Sequence, residues 1–210
     1  MLVGKQGRRQ VVVRGCRRLV GLGVGLLLFV ALTSGSPLMA AAEPVVKPPG
    51  GWSWLAGYGT SHPGWGETVT RVETLDLVAR YEKVVRAEIG TSWYRLRHSL
   101  LLELPLHLIT NYDLTPMVGI NFLAGWTMTG LGAIQPYFFA GGGPLYTATD
   151  IAGMGTRLNG NYQFGVGVRR PLEGHRYLKL EYRFHHVSSG GRRKPNEPLN
   201  SSKLLVGMTF

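Results

Sequence analysis

From Tyr94 to Leu108 the chain alternates. Tyr94, Leu96, Leu100, Leu102, Leu104, Leu106 and Leu108 share one parity, and Arg95, Arg97, Ser99, Glu103 and His107 share the other. A period of two places these sets on opposite faces of a β-strand, whereas a helix would scatter them. Val118, Ile120, Phe122, Ala124, Trp126 and Met128 alternate in the same way with Gly119, Asn121, Gly125 and Thr127. So do Tyr162, Phe164, Val166 and Val168 with Asn161, Gln163, Gly165, Gly167 and Arg169. Long strands that are apolar on one face and charged on the other leave few architectures open.

Eight segments carry strand signals, at roughly 51–61, 66–81, 91–109, 117–129, 133–148, 157–170, 175–189 and 200–210. In a soluble barrel or sandwich the apolar face would point inward. In a membrane barrel it meets lipid and the charges line the lumen. Segments of about 11 residues or more can cross a bilayer when tilted, which favours the second arrangement. Small residues on the polar face, Gly119, Gly125, Gly165 and Gly167, suit the narrow lumen of eight strands. Leu204, Val206, Met208 and Phe210 end the chain on alternate positions, a pattern similar to the last strand of bacterial outer-membrane barrels. The expected fold is therefore an eight-stranded antiparallel up-and-down transmembrane β-barrel over 52–210. Arg95, Arg97, Glu103, Lys179, Glu181 and Arg183 are expected to fill its lumen as an ion network. A soluble secreted β protein with an apolar interior is the alternative.

The segment before residue 43 differs. It holds Lys5, Arg8, Arg9, Arg14, Arg17 and Arg18, no Asp or Glu, an uncharged apolar run from Leu19 to Thr33, and Ala40, Ala41 and Ala42. This order is that of a secretory signal peptide over 1–42, with cleavage expected after Ala42 and an extended linker over 43–51. A run of 15 residues reaches only about 22 Å as a helix, short of the roughly 30 Å hydrocarbon core. The formal charge of +11 falls to 17 cations against 12 anions, about +5, once these six are set aside. Nucleic-acid binding is thus not indicated, while an anionic surface or substrate is. Cys16, the sole cysteine, lies in the leader, which excludes thiol chemistry, a disulfide framework and a zinc–thiolate site from the rest.

The last two strands hold the one constellation suited to covalent chemistry. On the seventh, Leu178, Leu180, Tyr182, Phe184, His186 and Ser188 share the lipid-facing parity, and Lys179, Glu181, Arg183 and His185 face inward. Residues two apart on a strand lie about 6.5–7 Å apart, near enough for an imidazole to lean to a hydroxyl. Serine needs such a base, and the base needs a third group on its other nitrogen. Asn200 has the parity of Leu204 and starts the strand that pairs with the seventh; Glu197 is the nearest carboxylate. A polar pair at a barrel rim is the plain reading of His186 and Ser188. Against it, polar groups on a lipid face are costly unless they serve a purpose. Ser189, Gly190 and Gly191 are positioned to offer N–H groups to an oxyanion, and Arg192, Arg193 and Lys194 to meet phosphate.

The run from His186 to Asn196 (His-Val-Ser-Ser-Gly-Gly-Arg-Arg-Lys-Pro-Asn), followed by a final strand, resembles the PagL-type lipid A 3-O-deacylases. Gln135, Pro136 and Tyr137 add to the resemblance, which extends loosely over 52–210. It implies an outer-membrane serine esterase acting on lipid A of lipopolysaccharide, with His186 as base, Ser188 as nucleophile, and Ser189, Gly191 and Asn196 near the oxyanion. No metal or organic cofactor is implied, and a homodimer is compatible with it. This chain departs from the family pattern twice: Ser189 stands where Asn is common, and Asn200 where Glu is expected. A non-catalytic barrel that binds lipopolysaccharide is the other reading.

Overall fold

A computed structural model describes residues 50–210. The leader, its expected cleavage site and nearly all of the 43–51 linker lie outside the described residues. The strands are β1 (Gly51–Ser61), β2 (Glu73–Ile89), β3 (Leu96–Ile109), β4 (Thr115–Gly119), β5 (Asn121–Met128), β6 (Gln135–Thr147), β7 (Leu158–Pro171), β8 (Tyr177–Ser188) and β9 (Leu199–Thr209). Across β3, Leu106 faces Val118 and Leu102 faces Phe122, so the register passes through Ile120 without a shift. β4 and β5 are therefore two halves of one barrel strand. Each of the eight barrel strands pairs antiparallel with its sequence neighbours, and β1 pairs antiparallel with β9. Among the described residues this closure leaves no open sheet edge, as a spanning β structure requires.

The faces are inverted relative to a soluble protein. Leu100, Leu104, Phe122, Phe138, Tyr162, Phe164, Val166 and Tyr182 are exposed on the outer wall, while Arg80, Glu103, Glu181 and Arg183 are fully buried inside. Arg80 donates to Glu103 at 2.7 Å and to Glu181 at 2.8 Å. Arg183 donates to Glu103 at 2.9 Å and also reaches Glu181. Tyr137 Oη and Gln163 Nε2 complete these carboxylates at 2.8 and 3.1 Å. Buried charges are tolerated only when paired and hydrogen-bonded in this way. The lumen glycines are required sterically: a Cβ on Gly165 or Gly167 would come within 2.5 Å of the Phe139 or Tyr137 ring.

Three expectations need correction. The second strand begins at Glu73, not at 66, and residues 62–72 form a connection. Its inward Asp76, Arg80 and Glu82, on a segment of weak alternation, join the ion network as well, and Asp76 meets Lys203 at 2.9 Å and His107 at 2.8 Å. The third strand begins at Leu96, because Ser92–Tyr94 forms a 3-10 turn. Arg95 therefore lies outside the lumen, 3.4 Å from Glu88 in an exposed pair.

The connections 62–72, 110–114, 148–157 and 189–198 share one end of the barrel, and 90–95, 129–134 and 172–176 the other. At the first end an apolar cluster fills the lumen: Val72, Ile109, Met117, Leu145, Ile151, Val187 and Leu199. Val187 and Leu199 face each other across β8 and β9. Their neighbours His186, Ser188 and Asn200 are thus carried on backbone whose opposite face is immobilised by close packing.

Candidate active site

The β8–β9 register puts His186 directly opposite Asn200. His186 Nδ1 lies 2.7 Å from Asn200 Oδ1, and His186 Nε2 lies 3.1 Å from Ser188 Oγ. These three side chains therefore form one hydrogen-bonded series. An amide oxygen only accepts, so the Nδ1 nitrogen carries the proton. The neutral ring then presents the Nε2 lone pair to the serine hydroxyl, as a general base must. Strand parity expected this face, and register supplied the partner. His185 points the other way, buried in the lumen 3.3 Å from Asn161.

Two side chains that sequence reasoning missed hold this series in place. Tyr162 faces His186 across β7 and β8, and the rings stack at 4.4 Å between centroids and 20° between planes. The 62–72 connection folds over Asn200. Asn200 Nδ2 donates to the Trp65 carbonyl at 2.8 Å and to Thr68 Oγ1 at 2.9 Å, and the Asn200 N–H donates to the same hydroxyl at 3.0 Å. Tyr162 had a signal in the sequence, its outward parity. Thr68 had none, because the contact joins positions 132 apart.

The turn after Ser188 is ordered by hydrogen bonds. The Ser189 N–H and hydroxyl both donate to Asn196 Oδ1, at 2.8 and 2.7 Å, and the buried hydroxyl oxygen lies 3.1 Å from the Arg193 carbonyl, its alternative acceptor. The Ser189 N–H, expected as an oxyanion donor, is thus already committed. The Gly190 N–H points at Ser188 Oγ at 3.4 Å. Gly190 and Gly191 both adopt positive φ, 64° and 77°, with open space around them. Asn196 Oδ1 is occupied by Ser189, which leaves its NH2 as the free end. Arg192, Arg193 and Lys194 are exposed beside this turn, and Arg192 Nε donates to the Ser189 carbonyl at 3.0 Å. The Glu197 carboxylate lies against Gly153. The Glu197 N–H bonds the Gly153 carbonyl at 2.8 Å, in the 148–157 connection.

Below the series the outer wall is aromatic. Phe184 stacks with Phe164 at 5.2 Å and with Trp65 at 6.3 Å, and all three rings border His186 or its supporting connection. A closed barrel with an apolar outer band and a charged, filled lumen defines the molecule as a transmembrane β-barrel of the outer-membrane type. Residues 51–209 match the lipid A 3-O-deacylase (PagL) family, and the chain belongs to it. Among solved structures, the outer-membrane enzyme PagL is similar with a TM-score of 0.51 and 16% identity, over 74% of this chain and 97% of that one. Neisserial surface protein A is similar with a TM-score of 0.48 and 14% identity, over 75% and 93%. No curated protein matches the sequence.

Proposed function

We propose that this protein is an outer-membrane serine esterase that removes the ester-linked acyl chain at the 3-position of lipid A. The observation that carries this reading is the Ser188–His186–Asn200 series, at 3.1 and 2.7 Å, on the lipid-facing wall. Ser188 Oγ attacks the ester carbonyl as its proton passes to His186 Nε2. The carbonyl oxygen gains negative charge, and the Gly191 N–H and the Asn196 NH2 answer it, joined by the Gly190 N–H as it turns from Ser188 Oγ. His186 then protonates the departing 3-hydroxyl, and water enters the same site to release the fatty acid and restore Ser188. Asn200 orients the ring throughout, though it cannot offset the imidazolium charge as a carboxylate would.

The surroundings fit a lipid ester. Tyr162, Phe164, Phe184 and Trp65 give an acyl chain an apolar path down the wall, and Arg192, Arg193 and Lys194 suit lipid A phosphates above it. Most of the longer connections lie at the site's end of the barrel, which supports a site facing the outer leaflet, since such barrels turn tightly on the periplasmic side. The test is mass spectrometry of lipid A from cells expressing the wild type or Ser188→Ala. Wild-type cells are expected to lose one 3-linked acyl chain and Ser188→Ala cells none; identical profiles would sink the proposal. Asn200 in place of Glu is the observation favouring a binding barrel without activity, which predicts unchanged lipid A in both.

A further inference from the structure

We propose that the 62–72 connection makes position 200 specific for an amide, with Thr68 as a positioning residue that sets the His186 tautomer through Asn200. This rests on reading the Ser188–His186–Asn200 series as hydrolytic.

A carboxylate presents the same acceptor atom whichever way it turns. An amide does not, because rotation by 180° exchanges an acceptor for a donor. With Oδ1 toward His186 Nδ1, the ring proton sits on Nδ1 and Nε2 is free to take the serine proton. In the rotated amide the NH2 would face Nδ1, the proton would move to Nε2, and the ring could no longer act as base. Asn at this place is therefore competent only if something fixes its rotation.

The connection supplies that. The Trp65 carbonyl, 2.8 Å from Asn200 Nδ2, has no proton to give, so it accepts only the NH2 end. Thr68 Oγ1 takes the second Nδ2 proton at 2.9 Å and the backbone N–H of Asn200 at 3.0 Å. Thr68 is itself buried, and its backbone N–H bonds the same Trp65 carbonyl at 3.2 Å. The connection is pinned in turn to β9, because the His62 N–H donates to the Asn200 carbonyl at 2.9 Å. Gly66 closes the cradle: its φ is +57°, and a Cβ there would lie 3.4 Å from Asn200 Nδ2. A carboxylate at 200 would set an oxygen against the Trp65 carbonyl oxygen, two acceptors with no hydrogen between them. The cradle therefore complements Asn and opposes the acid that the family pattern leads one to expect.

The variants to compare are Asn200→Asp, which is isosteric, Asn200→Ala, Thr68→Val, Thr68→Ser and the double variant Thr68→Val with Asn200→Ala. Deacylation is assayed in detergent with purified full-length protein and lipid A as the probe. Asn200→Asp is expected to be about tenfold or more slower in kcat than the wild type despite its charge. Thr68→Val is expected to lose about tenfold in kcat with KM unchanged, Thr68→Ser to keep most activity, and the double variant to match Asn200→Ala alone. Asn200→Asp as fast as the wild type, or additive losses in the double variant, would overturn the proposal. The 15N shifts of His186 test it without turnover. The wild-type ring is expected to carry its proton on Nδ1 and Thr68→Val to shift it toward Nε2; a wild-type proton on Nε2, or no shift, would also overturn it. Identical lipid A from wild-type and Ser188→Ala cells sinks the esterase instead, so the two readings fail separately.

Discussion

Tyr162 shows how a single residue tunes the site without touching the reacting atoms. Its ring covers His186 at 4.4 Å and leaves the imidazole one plane in which to lie, the plane that contains both Ser188 and Asn200. Stacking of this kind contributes about 0.5–1.5 kcal/mol, so Tyr162→Ala should lower kcat by up to about tenfold. Tyr162→Phe keeps the ring and should be near neutral, which kinetics on the two variants will distinguish. Ser189 illustrates the opposite case. It follows Ser188 directly, yet parity turns it inward, where it secures Asn196 rather than facing the outer wall.

Within β8, adjacent histidines divide the labour. His186 faces the outer wall and His185 the lumen, so His186→Ala should abolish activity and leave the denaturation midpoint almost unchanged. His185→Ala should do the reverse, losing stability while keeping the Ser188–His186 geometry. Urea titration of the detergent-solubilised protein alongside lipid A analysis measures both. β7 carries a steric version of the same alternation. Gly165 lies under the Phe139 ring and against the Tyr182 carbonyl, at 2.5 and 2.7 Å from an added Cβ. Gly165→Ala should therefore destabilise by about 1–3 kcal/mol, as overpacking does, and Phe139→Leu should restore part of the loss. Outward-facing Val166, one position along, should tolerate exchange for Leu.

The whole barrel depends on a lumen whose charges satisfy one another. Glu181 is the shared acceptor of Arg80, Arg183 and Tyr137, reached from three different strands. Glu181→Ala leaves the two buried guanidinium groups to share Glu103 alone and should cost about 3–5 kcal/mol, because one buried positive charge is then uncompensated. A drop in the urea midpoint and loss of the heat-modifiable gel shift would register it; an unchanged midpoint would mean that water replaces the carboxylate. The same filled lumen, closed at the site's end by the Val72, Leu145, Val187 and Leu199 cluster, predicts no ionic conductance in planar bilayers. Stepwise conductance would contradict it.

Much of this was legible in the sequence because strand parity is a local property. Period two in 94–108, 118–128 and 161–169 assigned each side chain to a face, and the inverted pattern with the strand lengths selected a membrane barrel. Parity also separated His186 from His185 and put Ser188 and Asn200 on the same wall. It gave less where alternation was weak. Around β2 the weak alternation assigned no inward face, so Asp76, Arg80 and Glu82 did not enter the expected ion network, and residues 66–72 were assigned to a strand. What only the tertiary structure decided is what crosses between strands: the register that sets His186 against Asn200, the Tyr162 stack, and the turn of Trp65 and Thr68 over the amide. Such contacts join residues far apart in sequence and are fixed by closure of the barrel, which no local pattern encodes.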